Sequence, residues 1–296
     1  MSKHIFWLSS YPKSGNTLLR AILVSLFFND EGKFSFDLLK NISQLEQIER
    51  LSLIKKNYKH DFDKINNLEI LSKYLLKLQT KKNLGFSEDF AFFKTHFANS
   101  IINNKPFTKE ENIRGIVYLL RDPRDVCVSW ARHSNLSIED SVNFLTNENA
   151  CVSWGGNTNL FKPIVPKVLL SSWDNHINSW TLKQWNVPIL IIKYEDLIHD
   201  KKETLNKLVF FFHKYYKIKI QNINEKIKNI MKTTTFNSMK KAEQNSGFGE
   251  AVNGPFFAVG RNNQWKEKLT KNQIIFLENK FKTIMKKYNY KLTVDI

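Results

Sequence analysis

Cysteine is scarce in this 296-residue chain: Cys127 and Cys151 are the only two. They fit no metal-ligand spacing and cannot build a disulfide framework, so a reducing compartment is expected. Long apolar runs are missing too. None approaches the roughly 20 residues that span a bilayer, and the short run behind Lys3 and His4 is too brief for a signal peptide. A soluble, cytoplasmic chain with no membrane span is therefore expected. Acidic residues are outnumbered, 28 against 45 basic, for a formal net charge of +17. Arginine supplies only seven of those 45. Scattered lysines usually form a solvated face, whereas arginines favour bidentate anion recognition. Four of the seven, Arg114, Arg121, Arg124 and Arg132, crowd into one stretch. No repeat, low-complexity tract or linker interrupts the chain, and 1–296 reads as one domain.

What is present begins with an apolar run, Ile5-Phe6-Trp7-Leu8. Three more short runs follow at Phe90–Phe93, Ile116–Leu120 and Ile189–Ile192. Continuous apolar stretches of this length suit parallel strands covered on both faces, and helical patterns lie between them. An α/β fold with a central parallel sheet flanked by helices is expected. Residues 35–80 read as several surface helices. Ser137 with Asp140, and Thr270 with Gln273, read as helix caps. Two stretches, 151–172 and 244–263, read as long loops.

Behind the first run comes Ser9-Ser10-Tyr11-Pro12-Lys13-Ser14-Gly15-Asn16-Thr17, and then a leucine-rich helix start. A strand, a tight turn and a helix N-terminus make an anion cradle: unpaired N–H groups, a positive dipole end and one lysine charge. Gly15 lets the backbone approach a ligand, and Ser14 and Thr17 add donors. In the usual nucleotide P-loop the lysine follows the glycine-rich turn; here Lys13 precedes Gly15. A second constellation, Arg121-Asp122-Pro123-Arg124-Asp125 with Ser129, places an arginine at a strand's C-terminal end, where open α/β sheets bind ligands. Asp122 and Pro123 suit the cap and first position of the next helix, so a purely structural Arg–Asp cap remains an alternative. A third, Lys94-Thr95-His96, brings a lysine and a histidine out of a strand together, and the histidine suits a general base near neutrality.

In this order the three segments resemble those of the cytosolic-type sulfotransferases, which use 3′-phosphoadenylyl sulfate (PAPS). Two later segments are similar as well: Lys193-Tyr194-Glu195-Asp196-Leu197, and Thr234-Thr235-Phe236 with Met239-Lys240. The likeness runs from residue 5 to about residue 270. It implies a sulfotransferase fold related to P-loop kinases, sulfuryl transfer from PAPS to a small-molecule hydroxyl, adenosine 3′,5′-bisphosphate (PAP) as product, and no metal. By the same resemblance Lys13, Ser14, Gly15, Asn16 and Thr17 cradle the 5′-phosphosulfate, and Arg121 and Ser129 hold the 3′-phosphate. Tyr194, Thr234, Phe236 and Met239 would line the nucleotide. His96 would be the general base, with Lys13, Lys94 and Ser129 also at the catalytic centre.

The chain departs from the family at several points. Leu18 stands where the family stacks a tryptophan on adenine, and Asn16 replaces a threonine. The family's Arg-Lys-Gly segment over the 3′-phosphate aligns with Ala258-Val259-Gly260, with Arg261 next in line as a substitute. The family dimer motif survives only as Lys266 and Thr270, so the oligomeric state stays open. Phe97, Trp154, Trp173, His176 and Trp180 are candidates for an apolar acceptor pocket. Phenol, lipid alcohol, sugar and amine acceptors all remain open. Two other readings stand beside this one. A nucleotide-dependent kinase would use Glu195 or Asp196 for magnesium. A nucleic-acid or anionic-membrane binder would use the +17 charge, but no aromatic-basic RNA signature accompanies it.

Overall fold

The computed structural model describes residues 3–55, 64, 67–86, 88–154, 165–182, 186–251 and 254–293. Four parallel strands form its central sheet: β1 (Ile5–Ser10), β2 (Ala91–Thr95), β5 (Ile113–Leu120) and β8 (Ile189–Lys193). Their spatial order is β2-β1-β5-β8, and every pairing is parallel. A two-stranded hairpin, β3 (Ile101–Ile102) with β4 (Lys105–Pro106), lies outside that sheet.

Successive side chains of a strand point to opposite faces, and the apolar runs therefore feed two cores. From β1, Ile5 and Trp7 join one core, and Phe6 and Leu8 the other. Phe93 and Phe92 of β2 divide in the same way, as do Tyr118 and Val117 of β5. Helices Asn16–Phe28, Lys201–Tyr216 and Ile223–Thr233 cover the Phe6 face with leucines and phenylalanines. Helices Leu68–Leu78, Pro123–Ser134, Trp173–Thr181 and Lys271–Lys287 cover the Trp7 face. Both faces are dry, which is why these strands read as unbroken apolar runs.

The expected helix ends are in place. Asp122 accepts from the Arg124 N–H with Pro123 in the first turn. Ser137 accepts from the Asp140 N–H, and Thr270 and Gln273 form a full capping box.

Three expectations need correction. Within 151–172, β6 (Cys151–Trp154) and β7 (Val165–Leu169) pair antiparallel, Cys151 opposite Leu169. Residues 155–164, including Gly155, Gly156, Asn157 and Pro163, lie outside the described residues. The glycines and prolines masked short strands that pair only with each other; a proline is tolerated in such an edge position. In 35–80, the helical segments do not merely coat the surface. Leu39, Ile42, Leu45, Leu51, Leu71, Leu75 and Leu78 are buried in the two cores. The 244–263 loop is also shorter than expected, because helix Phe236–Ser246 takes its first three residues.

Candidate active site

All four strands end on the same side of the sheet, and each delivers a site residue there. β1 runs into the Tyr11–Gly15 turn, β2 carries Lys94 and leads to His96, β5 leads to Arg121, and β8 leads to Tyr194. The turn after β1 needs two left-handed residues, Lys13 at φ 66° and Gly15 at φ 96°. A Cβ on Gly15 would lie 2.3 Å from the Tyr194 ring, so the ring and the turn meet only because that position is glycine. Arg121 fixes the turn from the other side: its Nη1 donates to the Lys13 carbonyl at 2.9 Å, and its guanidinium lies 4.3 Å from the Tyr194 ring centroid. Asn16, first in the helix, donates to Ser10 Oγ at 3.1 Å and ties the helix start back to β1.

A cavity of about 240 Å3 opens above these strand ends. Lys13, Gly15, Asn16, Thr17 and Leu18 line it together with Lys94 and His96, and so do Arg121, Ser129 and Tyr194. Thr234, Phe236, Met239 and Gly260 complete it from the later segments. Two expected residues are not in the lining. Ser14 is buried, and its Oγ has no hydrogen-bond partner among the described residues. Arg261 turns to solvent, where it pairs with Glu267 at 2.7 Å with more than half of its side chain exposed. Gly260 lines the cavity, and a Cβ there would lie 2.1 Å from the Phe236 ring, so a side chain at this position would clash.

The proposed acceptor aromatics are elsewhere. Phe97, Trp173, His176 and Trp180 are wholly buried and do not reach the cavity; the Trp154 side chain lies outside the described residues. Instead they brace the histidine. His176 faces the His96 carbonyl with Nε2 at 3.0 Å and the Tyr118 hydroxyl with Nδ1 at 2.8 Å. A carbonyl only accepts, so His176 Nε2 carries the proton and Nδ1 accepts from Tyr118. Trp180 Nε1 donates to the Phe97 carbonyl at 2.9 Å. The helix Trp173–Thr181 thereby pins the backbone that presents His96.

His96 itself has Nδ1 2.7 Å from the Ser10 carbonyl. Nδ1 must donate there, which leaves Nε2 as the basic nitrogen of the neutral ring. Burial, and then the neighbouring Lys94 charge, hold its pKa well below the usual histidine value. Burial also lowers Lys13, to about 7, with Arg132 the next cause; Glu250 opposes the shift, and Arg121 and Lys94 add to it. Lys94 is lowered, again chiefly by burial.

Several lining residues carried no recognisable pattern. Glu250 is the most consequential. Its carboxylate accepts from Thr17 Oγ1 at 3.1 Å, pairs with Arg20, and lies 3.5 Å from Lys94 Nζ. Lys94 and Arg20 hold it far below the usual carboxylate range despite burial. The available signal was Arg20, a lone charge inside Leu18-Leu19-Arg20-Ala21-Ile22, which demands a buried partner. Arg132, His133, Lys201, Gln44 and Gln47 also line the cavity. Arg132 is one helical turn beyond Ser129, so the two share a face. In all, six lysines and arginines face the cavity (Lys13, Arg20, Lys94, Arg121, Arg132 and Lys201) against one carboxylate, Glu250.

The other motif charges are structural. Arg124 binds Asp122 and Glu278 and lies over Trp265, 3.8 Å from its ring centroid. Asp125 accepts from the Asn263 and Trp265 N–H groups. Glu195 accepts from the Asp122 N–H and the Tyr290 hydroxyl. Neither Glu195 nor Asp196, the carboxylates a kinase reading would use for magnesium, lines the cavity. Among the described residues no group of three or more His, Cys, Asp or Glu side chains is arranged to hold a metal, and no helix is long and apolar enough to cross a membrane.

Known proteins share this architecture. The family model for the sulfotransferase domain matches residues 3–289. Mouse sulfotransferase 1B1 is 23% identical over 295 residues, covering 98% of this chain and 85% of that protein. Cytosolic sulfotransferase 17 of Arabidopsis thaliana is 24% identical over 291 residues, covering 94% and 74%. The amine sulfotransferase of rabbit is 26% identical over 200 residues, 64% of this chain and 61% of that protein, less than two thirds of its length. Among solved structures, mouse sulfotransferase SULT7A1 complexed with PAP superposes with a TM-score of 0.60 at 18% identity, covering 96% of this chain and 84% of that one. Retinol dehydratase in complex with androsterone and PAP gives the same TM-score, with 97% and 82% covered. These structural likenesses concern the fold, while the domain match extends over nearly the whole chain: the chain belongs to the sulfotransferase family.

Proposed function

We propose that this chain transfers a sulfuryl group from PAPS to a hydroxyl of a small acceptor, with His96 as general base. The observation that carries the reading is the meeting of Lys13, Lys94, His96, Arg121 and Ser129 in one cavity at the strand ends. The donor set fits a nucleotide with phosphates at both ends, because six cations face one carboxylate. Arg121, in the cavity lining, has a buried Nε with no hydrogen-bond partner among the described residues, and such a group is costly unless something pairs with it. Family membership and the PAP held by the two solved relatives point to the same donor.

PAPS supplies an activated sulfuryl group bonded through oxygen to its 5′-phosphate. The chain's residues do the rest. The acceptor oxygen forms a bond to sulfur as the sulfur–oxygen bond to the phosphate breaks. His96 Nε2 takes the acceptor's proton, and Lys13 offsets charge growing on the departing phosphate oxygen. Burial, and then the Lys94 charge beside it, keep the His96 ring neutral. Arg121 and Ser129 anchor the 3′-phosphate, and Tyr194, Thr234, Phe236 and Met239 border the base. The scheme uses no metal ion.

The test is turnover with PAPS in the presence of EDTA. Wild-type protein is expected to release PAP in the presence of a suitable acceptor. His96→Ala is expected to lose at least about a hundredfold in kcat, as for a general base, while binding PAP within about twofold of wild type. Unchanged turnover in His96→Ala would remove the histidine from this role.

A further inference from the structure

The cavity wall beside Lys94 carries hydrogen-bonding side chains, Gln44 and Gln47. Gln44 is bridged to Lys94: the Lys94 N–H donates to Ser43 O at 3.0 Å, and the Leu45 N–H to Lys94 O at 3.2 Å. This short parallel pairing sets Gln44 beside Lys94 and two residues from His96. Gln44 is only 7% exposed, and Gln47 joins it in the lining. Across from them Glu250 reaches Lys94, with its charge matched by Arg20. His133 also lines this part, within electrostatic range of Lys13, Lys94 and Glu250, and burial first and then those cations lower its pKa to about 4.

Among the described residues, the lining aromatics at this end pack on other rings. Phe256 lies under Lys13, whose Nζ is 4.4 Å from its ring centroid, and it packs on Phe248 and Phe257. Trp130 stacks on Phe144 at 4.9 Å. Phe97, the residue after His96, Trp180, which donates to the Phe97 carbonyl, and Tyr11 belong to the core. A phenol or steroid bound here would leave the Gln44 amide unpaired, its Nε2 being buried with no hydrogen-bond partner among the described residues, and buried polar groups resist that arrangement.

We propose that the acceptor is a compound whose reacting hydroxyl is surrounded by further hydrogen-bonding groups, a sugar or polyol, with Gln44 and Gln47 as specificity-determining contacts. This rests on the sulfotransferase reading above and adds the substrate class. The reaction is unchanged: the acceptor oxygen takes the sulfuryl group, His96 takes the proton and PAP leaves.

The experiment measures PAP release from PAPS with purified protein. Glucose, N-acetylglucosamine and myo-inositol are compared with 2-naphthol and a 3-hydroxysteroid, and PAP affinity is read in parallel by calorimetry. At least one sugar or polyol is expected to exceed each apolar acceptor in kcat/KM by about tenfold or more, as when a site selects for hydrogen-bonding groups. Gln44→Leu and Gln47→Leu are expected to lower that kcat/KM by about tenfold, chiefly through KM, with PAP affinity held within about twofold as the check on folding. If PAP binds and the phenol or steroid is the better acceptor, if no sugar or polyol is sulfated, or if neither glutamine variant shifts KM, the acceptor inference is overturned and the sulfotransferase reading stands. If wild-type protein fails to bind PAP, that reading falls and takes this inference with it.

Discussion

Lys13 is held in a left-handed turn, largely buried among other cations, and its chemistry follows from that setting. With its pKa brought down to about 7, chiefly by burial, it is only partly charged at neutral pH before an anion arrives. Between pH 7 and the ordinary lysine value the unfolded chain holds a proton that the folded chain has released. This group's contribution to stability therefore rises with pH across that window. Ligand binding runs the other way. A phosphate next to Lys13 favours the charged form, so PAP binding takes up a proton and weakens as pH rises above 7. Calorimetry in buffers of different ionisation enthalpy is expected to show that uptake, with Kd weakening by up to about tenfold per pH unit above 7. Lys13→Met would remove the dependence, and a flat wild-type profile would contradict the assignment. The sequence made Lys13, His96 and Arg121 legible because each follows an apolar run, where a parallel sheet exposes its ligand side. Glu250 was not legible in that way: it meets Arg20 across 230 positions of chain, and neither helix period nor strand period relates the two.

At the scale of elements, the site depends on one turn packed against one ring. Gly15→Ala would strain a left-handed position, at a cost of about 1–2 kcal/mol, and drive a methyl into the Tyr194 ring. Gly85 offers a control, since it is also left-handed at φ 66° but has nothing within 4 Å of a built Cβ. Gly15→Ala is expected to lower the melting temperature more than Gly85→Ala and, unlike it, to weaken PAP binding. Equal losses in the two variants would show that the Tyr194 contact is not what fixes the turn. The four central strands were readable because burial on both faces forces unbroken apolar runs, and the caps because their side chains act locally. The β6–β7 hairpin was not readable from composition: its pairing is specified by tertiary contact rather than by a local period. The aromatics around Trp173 showed the opposite failure. Their size suggested a pocket, but they pack as the wall that holds His96 in place.

For the molecule as a whole, the charge of +17 gains a location. Six lysines and arginines face one cavity in which the sole carboxylate, Glu250, is itself paired, so a strongly anionic ligand is drawn to that end of the sheet. The fold was readable from strand and helix order, and the cation cluster only in part. Arg121 stood out at its strand end, whereas Arg132 and Lys201 acquired meaning when the helices brought them together. The central claim is that the cavity recognises a nucleotide by phosphates at both ends, with Arg121 and Ser129 reserved for the 3′-phosphate. Calorimetry with PAP and with ADP, which lacks that group, tests it most directly. Two charge-assisted contacts predict that PAP binds about a hundredfold more tightly than ADP, and that Arg121→Ala removes most of the difference. Equal affinities for PAP and ADP in the wild-type protein would contradict the account.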